Sequence, residues 1–413
     1  MRILHTSDWH LGLESYGRSR ELEQAQFLEW LLETIRQEGV ELLLVAGDVF
    51  DSHNPGRKAE RLYFDFLAQL AKTPCRQAVI IAGNHDSVAG LRATQRVLES
   101  LNVSVVAGGE ELAREVIPCF DSAGQLRLVV GAVPYLRPGD LLELAPQASV
   151  HEDLDRYLAG YINHYHKVRQ LALELRERHH SQAPLLFMGH LYVQGCLMGE
   201  QVRDLPVGNL QGLEGLSLEG VDYLALGHLH LPQEVAGHPH WRYSGSPLHF
   251  GAGELRAGRS LEGGKSVVLL DLEPGRREIE LLPVPVWRDI RILEGDDPQV
   301  LLETVGAWVA EEKPIWLLLT YRGPEGSHLA NQLKELIEDS QIELLKFVDE
   351  RWRQQVLSAN DLALERSEGE LSQREVLRGF LEASGIELES AEGQWMGKEL
   401  GRLLEEILLE GEI

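Results

Sequence analysis

The sequence predicts a layered α/β domain, then a small domain of β-α-β-α-β order, then a helical C-terminal tail. Three observations carry this. Apolar runs of strand length alternate with segments of helical spacing through the first hundred residues. A proline pair, Pro283 and Pro285, interrupts the pattern before a second alternating set begins. From about Arg351 strand signals cease, while apolar spacing continues on an acidic background. The expected bounds are therefore 1–283, 286–350 and 351–413.

Taken in order, Arg2–Thr6 is a short apolar-rich run and reads as a strand. Glu21–Glu38 reads as a helix through Phe27, Leu31, Leu32 and Ile35, and Leu42–Ala46 as a buried strand. Lys58–Ala71 repeats the helical spacing with Leu62, Phe66, Leu67 and Leu70; Ala78–Ala82 is a strand and Gly90–Leu101 a helix. This βα alternation implies parallel strands covered by helices. Val103–Val106 and Leu126–Val133 follow as strands, His151–His180 as a long helix, and Leu185–Met188 and Val221–Leu226 as strands. Trp241–Ser244, Ser266–Leu272 and Glu278–Pro283 close the domain as an all-β stretch. In the second domain Trp287–Leu293, Ile315–Tyr321 and Ile342–Val348 read as strands, separated by helices Pro298–Glu312 and Glu325–Asp339. In the tail, Leu400, Leu403, Leu404, Ile407 and Leu408 form an apolar stripe over Gly397–Leu409, suited to a partner or to its own domain.

Length and composition bound the function. The chain has 413 residues, 44% hydrophobic and 25% charged, with no apolar run of membrane-spanning length, so membrane and disordered classes are excluded. The N-terminus turns polar after Ile3 and Leu4, unlike a signal peptide, and the expected location is the cytoplasm. Three scattered cysteines, Cys75, Cys119 and Cys196, make neither a disulfide framework nor a thiolate zinc site. Any metal must then be held by nitrogen and oxygen. The net charge of −26 predicts repulsion from nucleic acid, and residues 288–413 alone carry 13 Lys and Arg against 28 Asp and Glu.

The polar residues that matter sit where strands end. Asp8 and His10 follow the first strand, Asp48 the second, Asn84 the third, His190 the strand Leu185–Met188, and His228 and His230 the strand Val221–Leu226. In α/β sheets, ligands bind beyond the carboxyl ends of strands, so these seven side chains share one address. Seven N and O donors exceed one tetrahedral ion and suit two divalent metals completed by water or substrate. Mixed imidazole, carboxylate and amide donors favour Mn²⁺ or Fe²⁺ over Mg²⁺ and Zn²⁺. Glycines precede Asp48, Asn84, His190 and His228, allowing close backbone approach.

The order Asp-x-His, Gly-Asp-x-x-Asp, Gly-Asn-His-Asp, Gly-His, Gly-His-x-His resembles that of the calcineurin-like metallophosphoesterases. The wording HTSDWHLG at 5–12, VAGDVFD at 45–51, AGNHDSVA at 82–89 and ALGHLH at 225–230 is similar to that of the SbcD family, the nuclease subunits of bacterial SbcCD complexes. The resemblance implies a calcineurin-like metallophosphoesterase sandwich with a small α/β capping domain after Pro285. It implies one metal on Asp8, His10 and His230, another on Asn84, His190 and His228, and Asp48 shared by both. His85 would meet the phosphodiester, and the Asp51 carboxylate would orient it, though Asp51 also suits a turn or helix cap. The implied activity is Mn²⁺-dependent 3′ to 5′ exonuclease action on duplex ends with endonuclease cutting of single strands and hairpins. The implied partners are an SbcC-type ATPase, double-stranded and hairpin DNA, and a second copy within a heterotetramer. Arg18, Arg20, Arg57 and Arg92, near the motif loops, are candidate phosphate contacts. A small-molecule metallophosphodiesterase is the competing reading, which the acidic charge favours and the C-terminal 126 residues oppose.

Overall fold

Alternate residues of each central strand face two different cores, and this alone accounts for why such runs as LLLVA are apolar throughout. In chain order the elements are β1 (Arg2–Thr6), β2 (Glu14–Ser15), β3 (Arg18–Ser19), α1 (Glu21–Gln37), β4 (Leu42–Ala46), α2 (Arg57–Leu70), β5 (Gln77–Ile81), α3 (Val88–Glu99) and β6 (Val103–Val106). They continue with β7 (Val116–Phe120), β8 (Leu126–Ala132), α4 (Val150–Arg178), β9 (Leu185–His190), β10 (Tyr223–Gly227), β11 (Gln233–Val235), β12 (His238–Tyr243), α5 (Ala252–Gly258), β13 (Ser266–Glu273) and β14 (Arg276–Pro283). This computed structural model describes residues 1–137, 150–192, 196, 218–235, 237–258 and 264–351.

Two six-stranded sheets result, ordered β14-β13-β1-β4-β5-β6 and β11-β12-β10-β9-β8-β7. Strands β1, β4, β5 and β6 are parallel, as are β12, β10, β9 and β8, with antiparallel strands at the margins. Ile3, Leu42, Leu44, Ala46, Val79 and Ile81 meet Leu128, Val130, Ala132, Leu186, Met188 and Ala225 between the sheets. The opposite faces pack on helices: Leu4, Leu43 and Val45 on α1 and α2, and Phe187, Leu224 and Leu226 on α4. At about 2 kcal/mol for each fully buried aliphatic side chain, these three layers of contact dominate the stability of the unit.

Four short or awkward strands escape a reading by pattern in whole or in part. Strand β7 contains Pro118, which argues against a strand; it is tolerated because β7 is the last strand of its sheet and pairs only with β8. Strand β12 begins at His238, earlier than its apolar residues suggest, because pairing with β10 and β11 fixes its backbone despite polar side chains. The β2–β3 hairpin is too short to leave a periodic trace.

The first unit ends at Arg288, and a second begins at Asp289. In the second, β15 (Asp289–Gly295), α6 (Pro298–Val309), β16 (Ile315–Tyr321), α7 (Gly326–Ile337) and β17 (Ile342–Asp349) form a three-stranded parallel sheet with two helices. Asp297 caps α6 by accepting from the N–H groups of Gln299 and Val300, and Pro298 occupies the first turn. Leu301, Val305, Leu317, Leu319, Leu329 and Leu333 make its core. The tail expected over 351–413 lies, beyond Arg351, outside the described residues. Among the described residues no helix is long and apolar enough to cross a membrane, and the three cysteines are free thiols.

Candidate metal centre

Because β1, β4 and β5 run parallel, their following loops leave the first sheet at one end, delivering Asp8 and His10, Asp48 and Asp51, and Asn84 and His85. Parallel β9 and β10 deliver His190, His228 and His230 from the second sheet. The loops are stitched together by backbone bonds, Asp8 N–H to the Gly47 carbonyl and His10 N–H to the Asp48 carbonyl, each 3.0 Å. Four of these residues hold left-handed backbones: Asp8 at φ +53°, His10 at +44°, Asp48 at +48° and His228 at +98°. Such conformations cost about 1–3 kcal/mol each and cluster at functional sites, where the surrounding fold enforces them.

The close approach of the strand ends, within the first sheet and between the two sheets, depends on missing Cβ atoms. A Cβ on Gly83 would collide with Asp48 Oδ1, and one on Gly227 would collide with the Ala46 carbonyl oxygen. Glycine is therefore required at both places by space rather than by flexibility.

Asp48 is the centre of the cluster. Its Oδ2 lies 3.3 Å from His190 Nε2 and 3.5 Å from His10 Nε2. Asn84 Oδ1 lies 2.9 Å from His190 Nε2 and 3.1 Å from His228 Nδ1. Donor atoms of Asp8, His10 and His230 fall within 4.8 Å of one another, as do those of Asp8, Asp48 and His190. All seven residues expected as ligands thus meet in one place, and six of them are buried, Asn84 being half-buried.

The donors fit divalent cations. Burying Asp8 and Asp48 together is unfavourable unless positive charge is supplied. His10 Nε2 is buried with no hydrogen-bond partner, as a metal-directed lone pair would be. The other ring nitrogens face outward acceptors: His10 Nδ1 meets Asp51 Oδ1 at 3.2 Å, His190 Nδ1 the Ala46 carbonyl at 2.9 Å, and His230 Nδ1 Glu254 Oε1 at 2.7 Å. Carbonyls and carboxylates only accept, so each Nδ1 carries a proton, and in the neutral rings that leaves the Nε2 lone pair for a cation.

Electrostatics follow the same plan. Burial opposes charge on His190, yet the adjoining Asp48 carboxylate outweighs it and raises the imidazole to about 9. Burial and the neighbouring His190 lower His228 to about 3. Burial resists ionisation of Asp48, but His190 and His10 hold its carboxyl well below the usual range.

His85 stands beside this cluster. Its backbone N–H donates to Asp48 Oδ1 at 2.9 Å, and its Nδ1 lies 2.8 Å from the backbone carbonyl of Asp51. The expected contact from the Asp51 carboxylate to His85 does not form. Asp51 N–H bonds the Leu11 carbonyl at 3.2 Å, a pairing that leaves its own carbonyl for His85 and its carboxylate for His10.

Several residues here escaped the sequence reading. Asp86 accepts from the N–H groups of Gly83, Val49 and Phe50 at 2.8, 3.1 and 2.9 Å, clamping two of the loops together. Burial, then the nearby Asp48 charge, raises its carboxyl. Its place in Gly-Asn-His-Asp was a usable signal. Ser7 donates to Asp8 Oδ2, and Phe250 packs edge-on against His10 and His230 at 5.0 and 4.8 Å between ring centroids. Among the arginines, Arg20 is 2% exposed and bonds the His249 carbonyl at 3.0 Å, so it is part of the interior. Arg92 pairs with Glu110; Arg18 and Arg57 are exposed. His164 bonds the buried Glu115 at 2.7 Å.

Comparison with known proteins bears on the same residues. The calcineurin-like phosphoesterase family model matches residues 1–232, and the type 5 capsule protein repressor C-terminal domain model matches 286–384. Similar relatives include the SbcD component of the SbcCD nuclease of Escherichia coli strain K12, 36% identical over 349 residues and 84% of each chain. That of Rhodobacter capsulatus is 38% identical over 70% of this chain and 71% of its own. That of Bacillus subtilis is 33% identical over 78% and 79%. With its strand-end donors gathered around Asp48, this chain belongs to the calcineurin-like phosphoesterases, divalent-metal-dependent phosphodiester hydrolases, and among them to the SbcD family.

Proposed function

We propose that the chain is the nuclease subunit of an SbcCD-type complex, acting in the cytoplasm on duplex ends in the 3′ to 5′ direction and on single strands and hairpins. The observation that carries the proposal is the placing of His85 against a seven-donor cluster centred on Asp48. Asp8, His10 and His230 would hold one ion, Asn84, His190 and His228 the other, with Asp48 common to both. Mn²⁺ suits this donor set. When bound, the two ions supply Lewis acidity that activates water and neutralises charge developing on the phosphoryl oxygens.

The chain's own groups do the rest. His10, His190 and His230 are oriented through Nδ1, so it is Nε2 that would hold the cations. His85 donates from Nδ1 to the Asp51 carbonyl, so Nε2 can serve the phosphodiester as a donor only in the doubly protonated imidazolium, the form that would stabilise the transition state or protonate the departing oxygen. An SbcC-type ATPase supplies the DNA-binding surface that a chain of net charge −26 lacks. The apolar stripe of 397–409 is assigned to docking that ATPase, and two copies of each subunit make the complex.

The test is cleavage of an end-labelled hairpin duplex with Mn²⁺, with and without the ATPase and ATP, beside a small chromogenic phosphodiester. Mn²⁺-dependent cutting enhanced by the ATPase is expected. Turnover of the small ester with DNA untouched under every condition would instead favour a small-molecule phosphodiesterase.

A further inference from the structure

Behind His230 lies a buried ion pair that no cation site requires for its ligand count. Glu254 on α5 and Lys265, just before β13, are 1% and 6% exposed, with Glu254 Oε2 2.9 Å from Lys265 Nζ. We propose that Glu254, balanced by Lys265, is a positioning residue. It locks His230 in the tautomer that can hold a divalent ion, so the ion shared by Asp8, His10 and His230 depends on a carboxylate outside the ligand set.

Every polar atom of the pair is used. Glu254 Oε1 takes the His230 Nδ1 proton at 2.7 Å, and Oε2 accepts from Lys265 and from the Phe250 N–H at 3.2 Å. The ammonium has three protons and three acceptors: Glu254 Oε2, the His230 carbonyl oxygen at 2.7 Å and Ser246 Oγ at 2.7 Å. The pair therefore grips His230 twice, by its ring and by its backbone. Through Phe250 it also fixes the aromatic wall that packs on both His10 and His230.

The design has a chemical reason. A carboxylate on Nδ1–H makes the opposite nitrogen a stronger ligand, and loss of such an outer partner costs roughly 10–100-fold in metal affinity. A lone buried carboxylate would be costly, and Lys265 removes that cost without touching the ring. His10 and His190 are oriented differently, by the Asp51 carboxylate, which is 34% exposed, and by the Ala46 carbonyl. Of these three histidines, His230 is the one held by a carboxylate with its own buried cation.

The inference rests on the metal reading proposed above, and calorimetric titration of Mn²⁺ into the chelator-stripped full chain separates the two. If the wild type takes up no Mn²⁺, the metal reading itself fails. If it binds two ions, E254Q is the test, since the isosteric amide cannot accept from both His230 and Lys265. The double variant E254M/K265M removes the acceptor, leaves no unpaired buried charge, and serves if E254Q does not fold. The expected result is one ion bound as in the wild type and the other roughly 10–100-fold more weakly. Unchanged binding at both sites, or equal weakening at both, would overturn the inference. Long-range proton–nitrogen NMR on metal-free wild type, with the His230 signal identified by its absence in H230Q, must show Nδ1–H. The Nε2–H tautomer would overturn it whatever the variants do.

Discussion

Asp51 serves two histidines with two different atoms, and this makes its role separable. Its carbonyl holds His85 and its carboxylate holds His10. Asp51→Asn keeps the carbonyl, so Mn²⁺ affinity should fall by roughly tenfold while the pH profile of the metal-saturated enzyme stays as in the wild type. His85→Ala should do the reverse, lowering turnover by roughly 10²–10⁴-fold with both ions still bound by calorimetry. Loss of metal in that variant would give His85 a structural role instead. A third residue, His5, reports on stability. It is fully buried, with Nδ1 3.1 Å from the Tyr223 hydroxyl and Nε2 3.2 Å from the Leu226 carbonyl, and burial lowers it to about 3. The unfolded chain takes a proton there near pH 6.5 and the folded chain does not. Stability is therefore complete above pH 6.5 and falls as pH drops, by about 1.4 kcal/mol per unit until about pH 3. Denaturant titrations of the metal-free protein at pH 7 and pH 5 should show this loss, and His5→Gln should flatten it by about one proton.

At the scale of elements, the decisive contact is the one between sheets. Gly227 ends β10 against the Ala46 carbonyl at the end of β4, with no room for a methyl group. Gly227→Ala should destabilise by about 1–3 kcal/mol and weaken metal uptake together, because it parts the strand ends that carry Asp48 and His228. Thermal melts with and without Mn²⁺ would show both losses, and a variant that kept its metal while losing stability would separate them. The same scale explains what could be read from sequence. Strand ends followed by Asp, Asn and His were legible because each run of apolar residues stops where the chemistry begins. Arg20 misled because burial is a property of the packed β2–β3 hairpin and of His249, which lies 229 residues away. Glu254 and Lys265 were invisible for a related reason: neither stands at the end of a strand that feeds the site, and only the fold brings them to His230. Asp51 was legible as a residue but not as a role, since no pattern tells which of its oxygens faces which ring.

For the whole molecule, charge and metal binding are the measurable quantities. A chain of net charge −26 neutralises few phosphates, so the isolated protein should bind duplex DNA weakly, with a shallow dependence of log affinity on log salt. Addition of the ATPase should steepen that slope. A steep slope for the isolated chain would mean that a basic face of its own does the binding. Because ions bind the folded state alone, Mn²⁺ at about a hundred times its dissociation constant should stabilise the first unit by about 2.7 kcal/mol for each ion bound. Calorimetric melts across a Mn²⁺ series would check this.

The division of the donors between two sheets has a consequence for how such an enzyme comes into being. Asp8, His10, Asp48 and Asn84 belong to the first sheet, and His190, His228 and His230 to the second. A chain emerging from the ribosome has completed the first group long before His230 exists, and even then the strands of the first sheet still await β13 from beyond residue 265. No fragment that stops short of His230 carries a whole centre. The centre is in this way incomplete until both sheets of the first unit have formed.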